Sequence, residues 1–314
     1  IQSGRSPSIA RISLQMKPVR WFEFNYYHGW LVSEVTDSSR SYPVSSQPGA
    51  TIRYVNHPKY IATNIFTFTP IRKLNISVGN SIIYSDMGPH PAYLIPVFFF
   101  KAVDHSLNAG KDNMNSQMFL DISSRNIRNL HLYGAWFVDE VNTSNMFDPD
   151  EHSNYFSFKL GGRLSNFPVR NLSLTGEWTR TNANVFRHYV STLTYESNRY
   201  NLGHYLTDNA REYYLDVGYR PVRGLNLRLS YMLAQKGPDH TELGTDRLGL
   251  PFLESIEWEN QTIALNASYQ IINDAYVFAS WRYSNISGND LEKYTHPLYH
   301  GETNTVSAGL NFGF

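Results

Sequence analysis

Cysteine is absent from all 314 residues, which excludes thiol nucleophiles, disulfide staples and thiolate metal centres and leaves the redox compartment open. Net charge is absent as well. The 27 Lys and Arg balance 27 Asp and Glu, so no bulk field favours nucleic acid or an anionic surface. No run of 18 apolar residues occurs, and the longest candidate, 93–100, contains Pro96 and stops at Lys101. Transmembrane helices are thereby excluded. Phosphate loops, Gly-x-Ser-x-Gly elbows and paired helical histidines are missing, so neither catalysis nor a cofactor has support in the motifs. Asp104-His105 and Asp239-His240 are acid–histidine neighbours to weigh, but neighbours on a strand point to opposite faces.

What is abundant is aromatic: 22 Tyr, 18 Phe and 6 Trp make up 15% of the chain. Such a surplus suits membrane-interface girdles and also sugar-stacking surfaces. The last nine residues carry the strongest pattern. Val306, Ala308, Leu310, Phe312 and Phe314 share one face of an extended strand, while Ser307, Gly309, Asn311 and Gly313 share the other. One apolar face and one small, polar face suit a wall between hydrocarbon and water. The spacing of Ser307, Gly309, Phe312 and Phe314 resembles the C-terminal signal read by the barrel-assembly machinery of bacterial outer membranes, so Gly309, Phe312 and Phe314 are expected to form an insertion signal.

A turn motif recurs along the chain. It reads Lys17-Pro-Val-Arg20, Thr69-Pro-Ile-Arg72, Phe167-Pro-Val-Arg170 and Arg220-Pro-Val-Arg223, with a proline-free copy at Asn126-Ile-Arg128. Proline removes a ladder donor, so each copy is expected to end a strand at a tight reversal. Between copies lie two alternating stretches and one long polar segment. Thirteen strands are expected, near 8–16, 20–33, 59–69, 73–84, 113–124, 129–141, 154–165, 171–181, 211–220, 225–236, 258–271, 275–285 and 303–314. Short turns at one end and long loops at the other (34–59, 85–112, 181–211, 236–257 and 284–303) are the asymmetry of an outer-membrane barrel. A β-propeller has a similar repeat length, but its blades pack four short strands where two long ones are seen here. The expectation is a single all-β transmembrane antiparallel barrel over residues 1–314. An odd number of strands cannot close antiparallel, so at least one further strand is expected before Ile1, which makes 14 or more.

From Lys59 onward the order of features resembles the capsule-assembly Wzi family of outer-membrane barrels, particularly its Bacteroidota versions. The carrying residues are Lys59-Tyr-Ile-Ala62, Leu74-Asn-Ile-Ser-Val-Gly79, Pro91-Ala-Tyr-Leu-Ile-Pro-Val-Phe-Phe-Phe100 and Asp112-Asn113. They continue with His131-Leu-Tyr-Gly-Ala-Trp-Phe-Val-Asp-Glu140 and Asn201-Leu-Gly-His204. The resemblance implies a longer, 18-stranded surface barrel of the Gram-negative outer membrane. It further implies a protein that binds exported polysaccharide and holds it to the cell, without enzymatic activity. A porin-like channel and an accessory subunit of a larger outer-membrane complex remain alternatives.

Two groups of residues are expected to contact ligand. Residues 93–100 are too apolar for an exposed outer loop. They are expected to fold into the barrel mouth or against the lumen wall, with Tyr93 and Phe98 available for stacking. In the last outer loop, Tyr294, His296, Tyr299 and His300 combine rings with hydrogen-bonding groups, although loop tyrosines more commonly serve only to order the loop. His296 and His300 have a helical metal spacing, but Pro297 argues against a helix there, so no metal is expected. Asp148, Asp150 and Glu151 lack the spacing of a calcium loop.

Overall fold

Each alternating stretch becomes a strand. The structure is a computed structural model describing residues 8–45, 49–107, 113–240 and 248–313. Thirteen strands follow one another as an antiparallel meander in chain order. They are β1 Ala10–Val19, β2 Phe22–Leu31, β3 Lys59–Ile71, β4 Leu74–Ser85, β5 Met114–Ser124, β6 Leu130–Glu140 and β7 Tyr155–Ser165. The meander continues with β8 Leu172–Thr181, β9 Ala210–Tyr219, β10 Leu225–Lys236, β11 Trp258–Ile272, β12 Ala275–Ser287 and β13 Gly301–Phe312. Every strand lies within three residues of its expected bounds. The edge strands β1 and β13 run in the same direction and do not pair with one another.

Register fixes two faces that persist across the whole sheet. Phe66 opposes Val78, Trp136 opposes Phe158, Leu229 opposes Leu265 and Val277 opposes Leu310, all on one face. Lys159 opposes Thr179 and Asp216 opposes Ser230 on the other. Many of the first set, including Leu229, Leu265 and Leu310, are exposed. In water that exposure would forgo about 25 cal/mol for each Å² of apolar surface, whereas hydrocarbon accepts it at no cost. The apolar face therefore points outward to lipid and the polar face lines the lumen.

The proline motif behaves differently in its copies. Pro168 and Pro221 fall in turns, as expected, but Pro18 and Pro70 lie inside the last residues of β1 and β3. There the register slips between Met16 and Val19 and between Phe68 and Ile71. A bulge is where a strand can hold a residue without an N–H. Lys73, Asn129, Asn171, Gly224 and Asp274 turn the chain with positive φ, and Gly224 (φ +84) also lies 3.2 Å from Gln270 O at the point where a Cβ would stand.

On the lumen face, glycines sit beneath rings of the neighbouring strand. Tyr133 covers Gly161, Phe119 covers Gly79, and Phe278 lies 2.7 Å from where a Gly309 Cβ would stand. Gly309 thus has a packing reason of its own. Gly161→Val is expected to displace Tyr133 and its hydrogen bond to Glu177, and to destabilise the barrel by about 1–3 kcal/mol in urea titrations in detergent. Pairing it with Tyr133→Ala should restore most of that loss.

Two long loops take unexpected positions. Residues 182–209 cross the mouth and pack into the lumen, where Val185, Phe186, Leu193 and Tyr195 bury against Leu31, Ile61, Ile83 and Phe137. Polar bonds hold the crossing in place. Lys59 Nζ donates to Thr194 O at 2.7 Å, Asn115 Nδ2 to Leu193 O at 3.2 Å, and Phe186 N to Asp139 Oδ2 at 2.9 Å. By contrast, residues 86–107 drape over the outward wall. Tyr93 and Phe100 are fully buried against Phe24, Tyr26, Ala62, Ile82, Tyr84 and Met114, all on the lipid-facing side by register.

Candidate functional site: a lumen trough

The outward position of residues 93–100 differs from the expectation that they fold into the mouth or against the lumen wall. Its cause lies in the wall itself. Tyr26, His28, Asn64 and Asn80 interrupt the apolar face of β2–β4 with polar groups that lipid cannot satisfy. His28 Nε2 bonds Tyr84 Oη of β4 at 2.6 Å, and the loop satisfies the other three. Asn64 Nδ2 donates to Pro96 O (3.1 Å) and Phe98 O (2.7 Å), Phe100 N donates to Asn80 Oδ1 (2.9 Å), and Tyr26 Oη donates to Tyr93 O (2.7 Å). Tyr93 is fully buried in this layer and Phe98 is half-exposed on its crest, beside Leu94, Ile95, Val97 and Phe99. Neither reaches the lumen. A largely apolar crevice of about 510 Å³ lies between this crest and Met118, Leu120, Trp136 and Val138.

The lumen instead holds two cavities that share Tyr214 as a lining residue. The outer one, about 660 Å³, is lined by the rings of Tyr205, Tyr214, Trp258 and Tyr294 and by polar groups of Asn260, Thr262, Ser284 and Arg282. Trp258 projects inward from the first position of β11, and its Nε1 donates to Thr295 Oγ1 at 2.8 Å, which fixes the indole. Tyr294 Oη is buried without a hydrogen-bond partner among the described residues. Lys236, Asp239 and Lys293 form the charged rim. Lys236 Nζ reaches Asp239 Oδ1 at 2.9 Å and Asp208 Oδ1 at 3.1 Å, and Lys293 Nζ reaches Asp239 Oδ2 at 2.7 Å.

Burial opposes ionisation of Asp239, but the two ammonium groups outweigh it and hold the carboxyl at about 2. A depressed carboxyl pKa stabilises the folded loop above the ordinary value near 4, and this is lost as pH falls through about 2. The bridge from Asp239 to Lys236 and Lys293 is therefore expected to hold at about pH 4 and to open towards pH 2, read as faster hydrogen exchange in residues 291–294, whereas Asp239→Asn should lack that transition.

The inner cavity, about 1000 Å³, runs to the short-turn end. Glu177 accepts from Tyr133 Oη and pairs with Lys159 Nζ at 2.9 Å. Arg228 pairs with Asp216 and donates to Tyr214 Oη at 3.1 Å. Arg125 and Arg163 line the same cavity without a carboxylate partner among the described residues. Chemically, the outer half offers ring faces and neutral hydrogen-bonding groups, and the inner half offers unpaired cations.

Of the expected ligand residues, the structure brings only Tyr294 into this trough. His296 is exposed, and its Nδ1 accepts from Leu298 N at 3.2 Å. Tyr299 is exposed, and His300 Nε2 bonds Thr295 O at 2.8 Å. Helix Leu291–Tyr294 and the short 3-10 turn Pro297–Tyr299 are separate elements, so the two histidines do not share a helix. Phe312 is exposed on the lipid-facing side, and Phe314 lies outside the described residues. Trp258, Tyr205 and Tyr214 are additions. Of these, Trp258 and Tyr214 occupy lumen-facing register positions, which the strand alternation already marks.

No family model matches the sequence, and no curated protein matches it. Solved structures do match. Wzi of Escherichia coli, described as an outer-membrane protein involved in group 1 capsule assembly and a carbohydrate-binding β-barrel, is 14% identical. The match has a TM-score of 0.56 and covers 100% of this chain and 63% of that one. The fold is that of an outer-membrane β-barrel. The chain spans less than two thirds of the length of the Wzi structure. Pseudomonas aeruginosa OccD3 (14% identical, TM-score 0.46, 97% of this chain and 68% of that one) is also similar. So is OccK5 of the same species (10% identical, TM-score 0.43, 98% and 71%).

Proposed function

We propose that this barrel binds exported surface polysaccharide in its lumen trough, without catalysis, and helps retain it at the cell surface. The carrying observation is the outer cavity, where Trp258, Tyr294, Tyr205 and Tyr214 face Asn260, Thr262 and Ser284. Sugar C–H faces stack on rings while hydroxyls bond neutral amides and hydroxyls, and a few polar groups in an aromatic cleft set orientation. The carbohydrate-binding description of Wzi supports the same reading. The crossing of the mouth by residues 182–209 favours a binding trough over an open channel. The terminal strand with Gly309, Phe312 and Phe314 belongs to the proposal as the signal for barrel assembly.

The test is binding of purified surface polysaccharide to the detergent-solubilised protein. Trp258→Ala and Tyr294→Ala are each expected to weaken binding by roughly 5- to 30-fold, as loss of about 1–2 kcal/mol at an aromatic anchor implies. Tyr93→Ala and Phe98→Ala, on the outward wall, are expected to leave it unchanged. An unaltered surface coat after gene deletion would sink the proposal. A second reading, an accessory subunit of a larger outer-membrane complex, is favoured by the apolar crest of Leu94, Ile95, Val97 and Phe99 on the outward wall. Stoichiometric copurification in mild detergent that is lost on Val97→Glu would support it.

A further inference from the structure

The repeated turn motif has no part in the trough, yet its chemistry is constant. In all five copies a large aliphatic residue immediately precedes an arginine: Val19-Arg20, Ile71-Arg72, Ile127-Arg128, Val169-Arg170 and Val222-Arg223. Each aliphatic side chain is between 42% and 60% exposed. All five arginines are exposed and make no ion pair or side-chain hydrogen bond among the described residues. Trp21 and Phe167, also exposed, lie in two of the same turns. Lys73, Arg125 and Arg220 add further cations, and Asp274 is the single acid in the six short turns. Overall neutrality therefore conceals a strongly cationic rim, which in this class of barrel faces the periplasm.

A turn that met only water would not present a bulky aliphatic residue beside every cation. At the end of a lipid-facing strand, the pair fits the edge of a bilayer: the aliphatic group enters the acyl region while the guanidinium reaches up to a phosphate. Arginine's planar fork bonds a phosphate diester through two parallel N–H groups. We propose that these turns form a phosphate-binding rim that grips the headgroups of inner-leaflet anionic glycerophospholipids. An acidic polysaccharide would use the cations but not the aliphatic partners. This inference is independent of the trough and of what the trough binds.

Native mass spectrometry of the full chain in detergent, titrated with phosphatidylglycerol, phosphatidylcholine, inorganic phosphate or polygalacturonate, tests it. The wild type should retain several phosphatidylglycerol molecules in preference to phosphatidylcholine, and inorganic phosphate should not displace them. The fivefold substitution Arg20→Gln, Arg72→Gln, Arg128→Gln, Arg170→Gln and Arg223→Gln should raise the half-saturating phosphatidylglycerol concentration at least about tenfold. Should that variant fail to fold, the wild type still decides through its lipid preference. Equal retention of the two lipids, displacement by inorganic phosphate, or binding of polygalacturonate in place of lipid would each overturn the proposal.

Discussion

Replacing residues 185–195 by a Gly-Ser linker of equal length is expected to raise single-channel conductance in planar bilayers by on the order of tenfold. The native segment fills the mouth because its apolar side chains have matching partners on the lumen wall. Val185, Phe186, Leu193 and Tyr195 are buried against Leu31, Ile61, Ile83 and Phe137. Phe137 lies within 4.9 Å of the Phe186 ring centroid and 5.1 Å of the Tyr195 ring centroid. Burial of four such side chains stabilises the crossing by several kcal/mol, at roughly 1.5–3 kcal/mol each before ordering entropy is subtracted. Lys59 and Asn115 then fix its height by bonding the Thr194 and Leu193 carbonyls. A linker can do neither. Lys59→Met alone should produce a smaller increase with frequent closures, because the apolar contacts remain. Unchanged conductance after the linker replacement would mean that the mouth is occluded elsewhere.

The double substitution Asn64→Leu and Asn80→Leu should leave the barrel inserted and folded while releasing residues 91–107 from the outward wall. Leucine at both positions restores the apolar face that lipid prefers. The loop, however, loses the bonds from Asn64 to Pro96 O and Phe98 O and from Phe100 N to Asn80. At about 1 kcal/mol per bond, with a further penalty for carbonyls left unpaired against the wall, opening should become easier by roughly 3–5 kcal/mol. Hydrogen exchange in helix Phe100–Leu107 should accelerate by at least about a hundredfold, with exchange in β3 and β4 little changed. Collapse of the whole barrel would show instead that the two asparagines are needed for the wall itself.

The strands were legible because a two-residue alternation repeats through β10, β11 and β13, and because arginine-bearing turns punctuate it. Loop placement was not legible, because a loop's path depends on contacts distant in sequence. The run 93–100 is too apolar for an exposed loop. Which wall it would cover depended on Asn64 and Asn80, whose polar side chains on a lipid-facing register were the available signal. Likewise, Val185, Phe186 and Leu193 sit in a loop rich in Tyr, His and Asn, and nothing local marks them as a plug. The trough was partly visible. Tyr294 stands out in its loop, but Trp258 and Tyr214 emerge only when the lumen side of each strand is followed from neighbour to neighbour.

The two-faced wall is tested most directly by single-cysteine scanning, since the chain has no cysteine of its own. Arg228→Cys and Ser230→Cys place a thiol on the lumen face of β10, and Leu229→Cys and Tyr231→Cys place one on the lipid face. In vesicles, a water-soluble maleimide should label the first pair and spare the second, with the pattern reversed for a lipid-confined probe. Equal labelling at all four positions, or a monodisperse folded protein in buffer without any detergent, would contradict a wall that is wet on one side and in hydrocarbon on the other.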